Sequence, residues 1–157
     1  MIEIPLTQCQ VALIDDEDFE LVSKYKWNAS KNRKSFYAGT DIRMPDGSWK
    51  RLLMHRLVMN AKAGQQVDHI HHLTLDNRKS ELRLCTNIQN HYNSSTPVNN
   101  TSGYKGVSWC TFTRKWEVRI RVSSRRVYLG RYADKESAYA AYCAAAIKYH
   151  GEFACLN

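Results

Sequence analysis

The sequence predicts an α+β fold, and three observations carry that expectation. Lys115 to Val122 alternates strictly between apolar and charged residues, the period-two pattern of a half-buried strand. Asp134 opens an alanine-rich stretch that runs to His150 and Gly151, a helix with an N-cap and a C-terminal glycine. Between Val67 and Asn93 the pattern reads strand, loop, strand, helix.

Taken from the start, Gln10 to Ile14 reads as a strand, and Asp15 or Asp16 can cap a helix through Phe19, Leu21 and Val22. Trp27-Asn28 and Phe36 to Ala38 read as strands around a polar turn, Ser30 to Ser35. Pro45-Asp46-Gly47 is a tight turn. Trp49 to Met54 leads into His55-Arg56-Leu57-Val58-Met59, predicted helical. No catalytic constellation stands out in this part. Lys24, Lys26, Lys31, Arg33 and Lys34 read as solvated surface.

In the middle, Val67-Asp68-His69-Ile70 is a short strand carrying two adjacent polar groups. A loop from His71 to Lys79 follows, and Leu82 to Cys85 alternates as a second strand. Thr86-Asn87-Ile88-Gln89 matches a capping box, which starts a helix from Asn87 to about Asn93. Ser94 to Asn100 reads as a linker.

With these residues in this order, the segment from Met54 to Asn93 resembles the HNH endonucleases, closest to the phage and intron-type homing enzymes. The carrying residues are Asp68-His69, Asp76-Asn77-Arg78, Leu82-Arg83-Leu84 and Gln89-Asn90, with His55 to Val58 ahead of them. The resemblance implies a ββα-metal nuclease unit. It makes His69 the general base that activates water, a role suited to an imidazole titrating near neutrality. It makes Asp68 and Asn90 the ligands of one divalent cation, and oxygen ligands favour magnesium, with manganese the alternative. No structural zinc is expected. One position departs from the family: Glu81 stands where the family has the Asn that braces the loop and orients the catalytic His. A carboxylate cannot donate the amide's hydrogen bonds. It can accept one from an imidazole or sit beside the metal. His71 and His72 read first as exposed loop residues.

From Thr101 a different pattern begins. Tyr104 to Trp109, Lys115 to Val122 and Arg126 to Gly130 form three strands. The resulting antiparallel sheet has one apolar face and one basic face. The helix from Lys135 to His150 covers the apolar face with Ala138, Ala141, Tyr142, Ala145 and Tyr149. This segment resembles the plant APETALA/ethylene-response-factor type DNA-binding domain. The carrying residues are Ser102 to Val107, Trp116 to Arg121, Tyr128-Leu129-Gly130 and Tyr149 to Ala154. The resemblance implies a sheet laid in the major groove of double-stranded DNA. Its contact residues would be Lys105, Ser108, Arg119, Arg121, Arg126 and Tyr128. Ser108 and Cys110 stand where plant members tend to have Arg, so base preference does not transfer.

Charge agrees with a polyanion partner. The chain of 157 residues carries a net charge of +8. From Thr101 onward there are ten basic and four acidic residues, while the first hundred hold thirteen and eleven. The five cysteines are scattered and form no CxxC pair, which speaks against a zinc ribbon and for a reduced, intracellular protein. No apolar run is long enough to span a bilayer, and the start lacks the pattern of a signal peptide. The expected organisation is residues 1–93 as a β-rich region plus nuclease unit (core 54–93), 94–100 as linker, and 101–157 as DNA-binding domain. The oligomeric state is open, with a monomer the favoured reading. The sum is a metal-dependent homing-type DNA endonuclease. Its rivals are a DNA-binding regulator with a decayed site, and a nuclease directed at RNA.

Overall fold

The computed structural model describes residues 1–32 and 35–156. Arg33 and Lys34, read above as solvated, lie outside the described residues. The chain divides into two compact units, Met1–Asn87 and Ile88–Asn157.

In the first unit, β1 (Ile2–Pro5) pairs antiparallel with β2 (Val11–Ile14). The helix expected after β2 is shorter than the pattern suggests: a 3-10 turn over Asp16–Asp18 runs into α1 (Phe19–Val22). Asp15 does not cap it. Its carboxylate accepts instead from the N–H of Lys79, 2.8 Å away and 64 positions along the chain. A long-range donor has displaced the local one.

Strands β3 (Asn28–Asn32), β4 (Ser35–Arg43) and β5 (Trp49–Leu53) form an antiparallel sheet in the order β3-β4-β5. The Pro45-Asp46-Gly47 turn joins the last two, with Gly47 at φ +82° and Asp46 accepting from the Ser48 N–H at 2.9 Å. Helix α2 (Met54–Val58) follows directly. Strand β6 (Gln66–His69) pairs antiparallel with β7 (Leu82–Cys85), with Asp68 opposite Arg83 and His69 opposite Leu82. A core of Ala12, Ile14, Val22, Trp27, Ala38, Met54, Val58, Val67 and Leu82 unites these pieces. Burying Trp27 leaves its indole N–H to be satisfied, and the Val22 carbonyl accepts it at 2.9 Å.

Helix α3 (Asn87–Tyr92) begins at the division between the units. In the second unit, β8 (Val107–Cys110), β9 (Lys115–Val122) and β10 (Arg125–Tyr132) form an antiparallel sheet in the order β10-β9-β8. The first strand is shorter than expected, because Gly103 and Gly106 turn the chain with φ of +77° and +74°. Helix α4 (Lys135–His150) packs its Ala138, Tyr142, Ala145 and Ala146 on Val107, Val118 and Ile120 of the sheet. Asp134 caps it, accepting from the Ser137 N–H at 2.7 Å.

Of the expected stripe of α4, Ala138, Tyr142 and Ala145 are buried and Ala141 is half-buried, and the difference lies in the last turn. Tyr149 is exposed and His150 is buried. The His150 imidazole bonds the Arg121 carbonyl at 2.7 Å and stacks on Tyr92 at 3.7 Å between ring centroids. A buried hydrogen bond and a stacked ring draw His150 inward, while the Tyr149 hydroxyl stays with water.

The folded mixture of helices and small antiparallel sheets is α+β. No helix of the described residues is long and apolar enough to cross a membrane.

Gly106 marks the tightest approach in this unit. A Cβ there would run into the Tyr142 ring and come within 2.7 Å of the Arg119 carbonyl oxygen, at a positive φ besides. Gly106→Ala is therefore expected to destabilise the second unit by about 3 kcal/mol. Thermal melting followed at Trp109 and Trp116 would detect it, and an unchanged melt would contradict the close packing.

Candidate functional site

His69 ends β6, and its ring is only 6% exposed. Two other rings close around it. His55 comes from the first turn of α2, with ring centroids 5.1 Å apart and planes at 77°. Tyr37 comes from β4, 5.9 Å from His69 and 5.8 Å from His55. The first part of the sequence shows no catalytic constellation by itself, and the fold brings two of its rings, Tyr37 and His55, against His69. Two elements remote in sequence bring rings into the wall of the site, and periodicity carries no signal of that.

Burial lowers the pKa of both imidazoles. His55, 6% exposed, falls to about 3 through desolvation, with the His69 and Arg56 charges acting in the same sense. Its Nδ1 is buried without a hydrogen-bond partner among the described residues. His69 is lowered by desolvation too, but the Asp68 charge pulls the other way. The result at neutral pH is a neutral imidazole held beside a carboxylate. Tyr37 is pushed up, first by burial and then by the Asp68 charge.

Asp68 is also buried. Arg83, directly across the β6–β7 pair, grips its Oδ2 through Nε at 2.9 Å and Nη2 at 2.7 Å. A carboxylate in this setting would be costly without a cation, and the fork supplies one.

The loop between β6 and β7 is rigidly braced. Leu13 on β2 accepts from the Asn77 N–H at 2.8 Å and donates to the Leu75 carbonyl at 2.9 Å. Asn77 has no exposed surface, and its amide donates to the Leu75 carbonyl at 3.0 Å. Asp76 holds Arg78 through Nε at 2.8 Å and Nη2 at 2.5 Å.

Glu81 faces elsewhere. Its carboxylate meets the His71 Nδ1 at 2.6 Å, while its carbonyl accepts from the Ile70 N–H at 2.9 Å. The imidazole that Glu81 bonds is thus His71, and Glu81 reaches His69 only through its field, which favours the protonated form. His71 is exposed, as expected, and its ring is bonded to Glu81. The amide buried in this loop is that of Asn77, which sequence reasoning quoted without giving it a role.

Asn90 is half-buried on α3, beyond the division between the units. Among the described residues no group of three or more His, Cys, Asp or Glu gathers as a metal cage. Asp68 and Asn90, one in each unit, both offer oxygen donors, the chemistry a hard cation takes.

In the second unit, register sorts the sheet into two faces. Away from α4 lie Ser108, Cys110, Lys115, Glu117, Arg119, Arg121, Arg126 and Tyr128. Lys105 is not on that open face: its ammonium donates to the carbonyls of Tyr92, at 2.8 Å, and Ser94. A cleft of about 450 Å³ opens beside the sheet, lined by Arg119, Arg121, Arg126, Lys105 and residues of 91–97. Asn100 orders the approach to β8, accepting from the N–H groups of Ser102 and Gly103 at 2.8 and 2.9 Å. Sequence alternation missed Arg131, which also stands on the open face.

Comparison with known proteins adds two similarities. The chain is 34% identical over 94 residues to an uncharacterized HNH endonuclease of Acanthamoeba polyphaga mimivirus, covering 56% of this chain and 46% of that protein. It is 33% identical over 63 residues to Protein 3.8 of Escherichia phage T7, covering 40% of this chain and 52% of that protein. The chain thus spans about half the length of the curated relatives it matches. No protein-family model matches.

The burial of His55 has a measurable cost in acid. Its pKa is depressed in the native state, so between 6.5 and about 3 the unfolded chain binds the proton that the native chain refuses. Stability is retained above 6.5 and lost as pH falls through that window, at up to ~1.4 kcal/mol per pH unit. His55→Phe keeps the ring and removes the titration. Urea unfolding from pH 7 to 4 is expected to show a shallower loss for the variant, and equal slopes would contradict a neutral, buried His55.

Proposed function

We propose that this chain is a metal-dependent nuclease of the HNH kind that hydrolyses DNA phosphodiester bonds, of the homing type, with His69 as general base. The observation that carries the reading is the setting of His69. It is a desolvated imidazole, its pKa lowered by burial, with the Asp68 charge beside it. The mimivirus relative is named an HNH endonuclease, which supports the same reaction class.

In this mechanism a water oxygen attacks phosphorus as His69 takes the water's proton, and the bond from phosphorus to the 3′ oxygen breaks. The Asp68 charge stabilises the imidazolium that forms. His55 and Tyr37 wall the ring off from bulk water. Asp68 and Asn90 would hold the divalent cation, magnesium or manganese, which when bound neutralises charge on the phosphate and the departing oxygen. Glu81 acts at one remove, fixing His71 at the mouth of the loop and biasing His69 by its charge. The basic open face of the second unit binds the double-stranded DNA through Arg119, Arg121, Arg126 and Tyr128, as the resemblance to the APETALA-type domain implies.

A second reading has one observation in its favour. Asp68 is already neutralised by Arg83, which suits a DNA-binding regulator whose metal site has decayed. Incubation of supercoiled plasmid with magnesium, with and without chelator, separates the two. Chelator-sensitive relaxation or linearisation is expected for the nuclease. His69→Ala should lower that rate by about 10³-fold while DNA binding persists. An unchanged rate in the variant would remove His69 from the mechanism.

A further inference from the structure

Strict alternation from Arg126 and Tyr128 would put Gly130 on the open face of the sheet and Arg131 on the core face. The structure reverses this. Register shifts between Tyr128 and Gly130: Tyr128 lies opposite Arg119, whereas Gly130 lies opposite Val118 and Arg131 opposite Glu117. The extra residue is a bulge, and Gly130 at φ +123° accommodates it. The phase slip delivers a fifth basic side chain to the open face, beside Lys115, Arg119, Arg121 and Arg126.

That face holds one carboxylate, Glu117, whose side chain is only 8% exposed. Both of its oxygens are used. Oε1 pairs with Arg119 Nη2, and Oε2 accepts from Arg131 Nε and Nη2, each at 3.2 Å. The guanidiniums themselves stay accessible, with side chains 55% and 43% exposed. The Arg131 guanidinium also lies 6.0 Å from the centre of the Tyr128 ring.

We infer that Glu117 is a positioning residue, gripping Arg119 and Arg131 as one oriented pair of guanidiniums for duplex DNA, and that Arg131 is a DNA-contacting residue. The inference rests on the proposal that this face binds DNA. A carboxylate opposes a polyanion, so by charge alone Glu117 weakens binding. Its value lies in order. An arginine side chain loses considerable rotamer entropy when it is fixed. A grip on Nε and Nη2 sets the guanidinium plane before DNA arrives and leaves donors on the opposite edge. Those donors suit phosphate oxygens or the acceptor edge of guanine.

Charge and positioning predict opposite signs. Glu117→Gln raises the net charge by one and releases both guanidiniums. Fluorescence anisotropy with a labelled pool of random-sequence duplexes of about 30 base pairs, at about 0.1 M salt, measures the outcome on the full chain. Positioning predicts that Glu117→Gln binds at least about fivefold more weakly. Equal or tighter binding with an unchanged melting temperature would overturn it. Arg131→Lys keeps the charge and loses the fork, and is expected to weaken binding to a similar degree. Should Glu117→Gln melt early, Arg131→Lys decides alone, and parental affinity there rejects the inference. Arg121→Ala tests the underlying reading separately. If that variant binds like the parent, this face is not the DNA surface and both proposals fall. If it weakens binding while Glu117→Gln and Arg131→Lys do not, only the positioning role fails.

Discussion

The loop that follows His69 is anchored by main-chain hydrogen bonds to a single residue, Leu13. That strand residue accepts from Asn77 and donates to Leu75, forming an isolated parallel bridge at Asp76. Without it, residues 71–79 would be a polar excursion between two four-residue strands, and a two-stranded ribbon is marginal by itself. With it, Asn77 is driven into the interior, where an amide must find partners. Its side-chain amide meets the Leu75 carbonyl. The loop that follows His69 is therefore tied to β2, more than fifty positions earlier in the chain. The Asp15 bond to the Lys79 N–H ties the far end of the same loop to the same region.

The loop is anchored without the Glu81 side chain. Asn77 braces the loop through Leu13 and Leu75, and the Glu81 carboxylate holds His71. A carboxylate suits that task, since it pairs with the imidazole and keeps an exposed loop residue in register. Arg83 makes a similar accommodation on the opposite side. It lets Asp68 be both buried and charged, and the field of that charge is the main influence opposing the desolvation of His69.

The second unit solves the corresponding problem on a sheet. Five basic side chains on one face repel one another, and Glu117 sits among them with little access to water. Its burial is tolerable because two guanidiniums satisfy both oxygens. On the reverse face, small residues of α4 let the helix approach until Gly106 touches Tyr142. His150 closes the end of that packing by bonding the Arg121 carbonyl.

The sequence by itself determined the elements whose signals are local. The β7 strand and the Asp134-capped helix are where period and capping place them, because each depends on neighbours within a few residues. It also singled out Asp68, His69 and the Asp76-Asn77-Arg78 run. Tertiary structure alone decided the rest, for a common physical reason: the decisive partner is distant in the chain. Asp15 abandons its cap for Lys79, and His55 and Tyr37 reach His69 from α2 and β4. His150 replaces Tyr149 in the core because a carbonyl of β9 is there to receive it. Arg131 changes face because one glycine admits a bulge. A glycine inside a strand pattern hints at such a slip, but pairing with β9 is what fixes its position and carries Arg131 to Glu117.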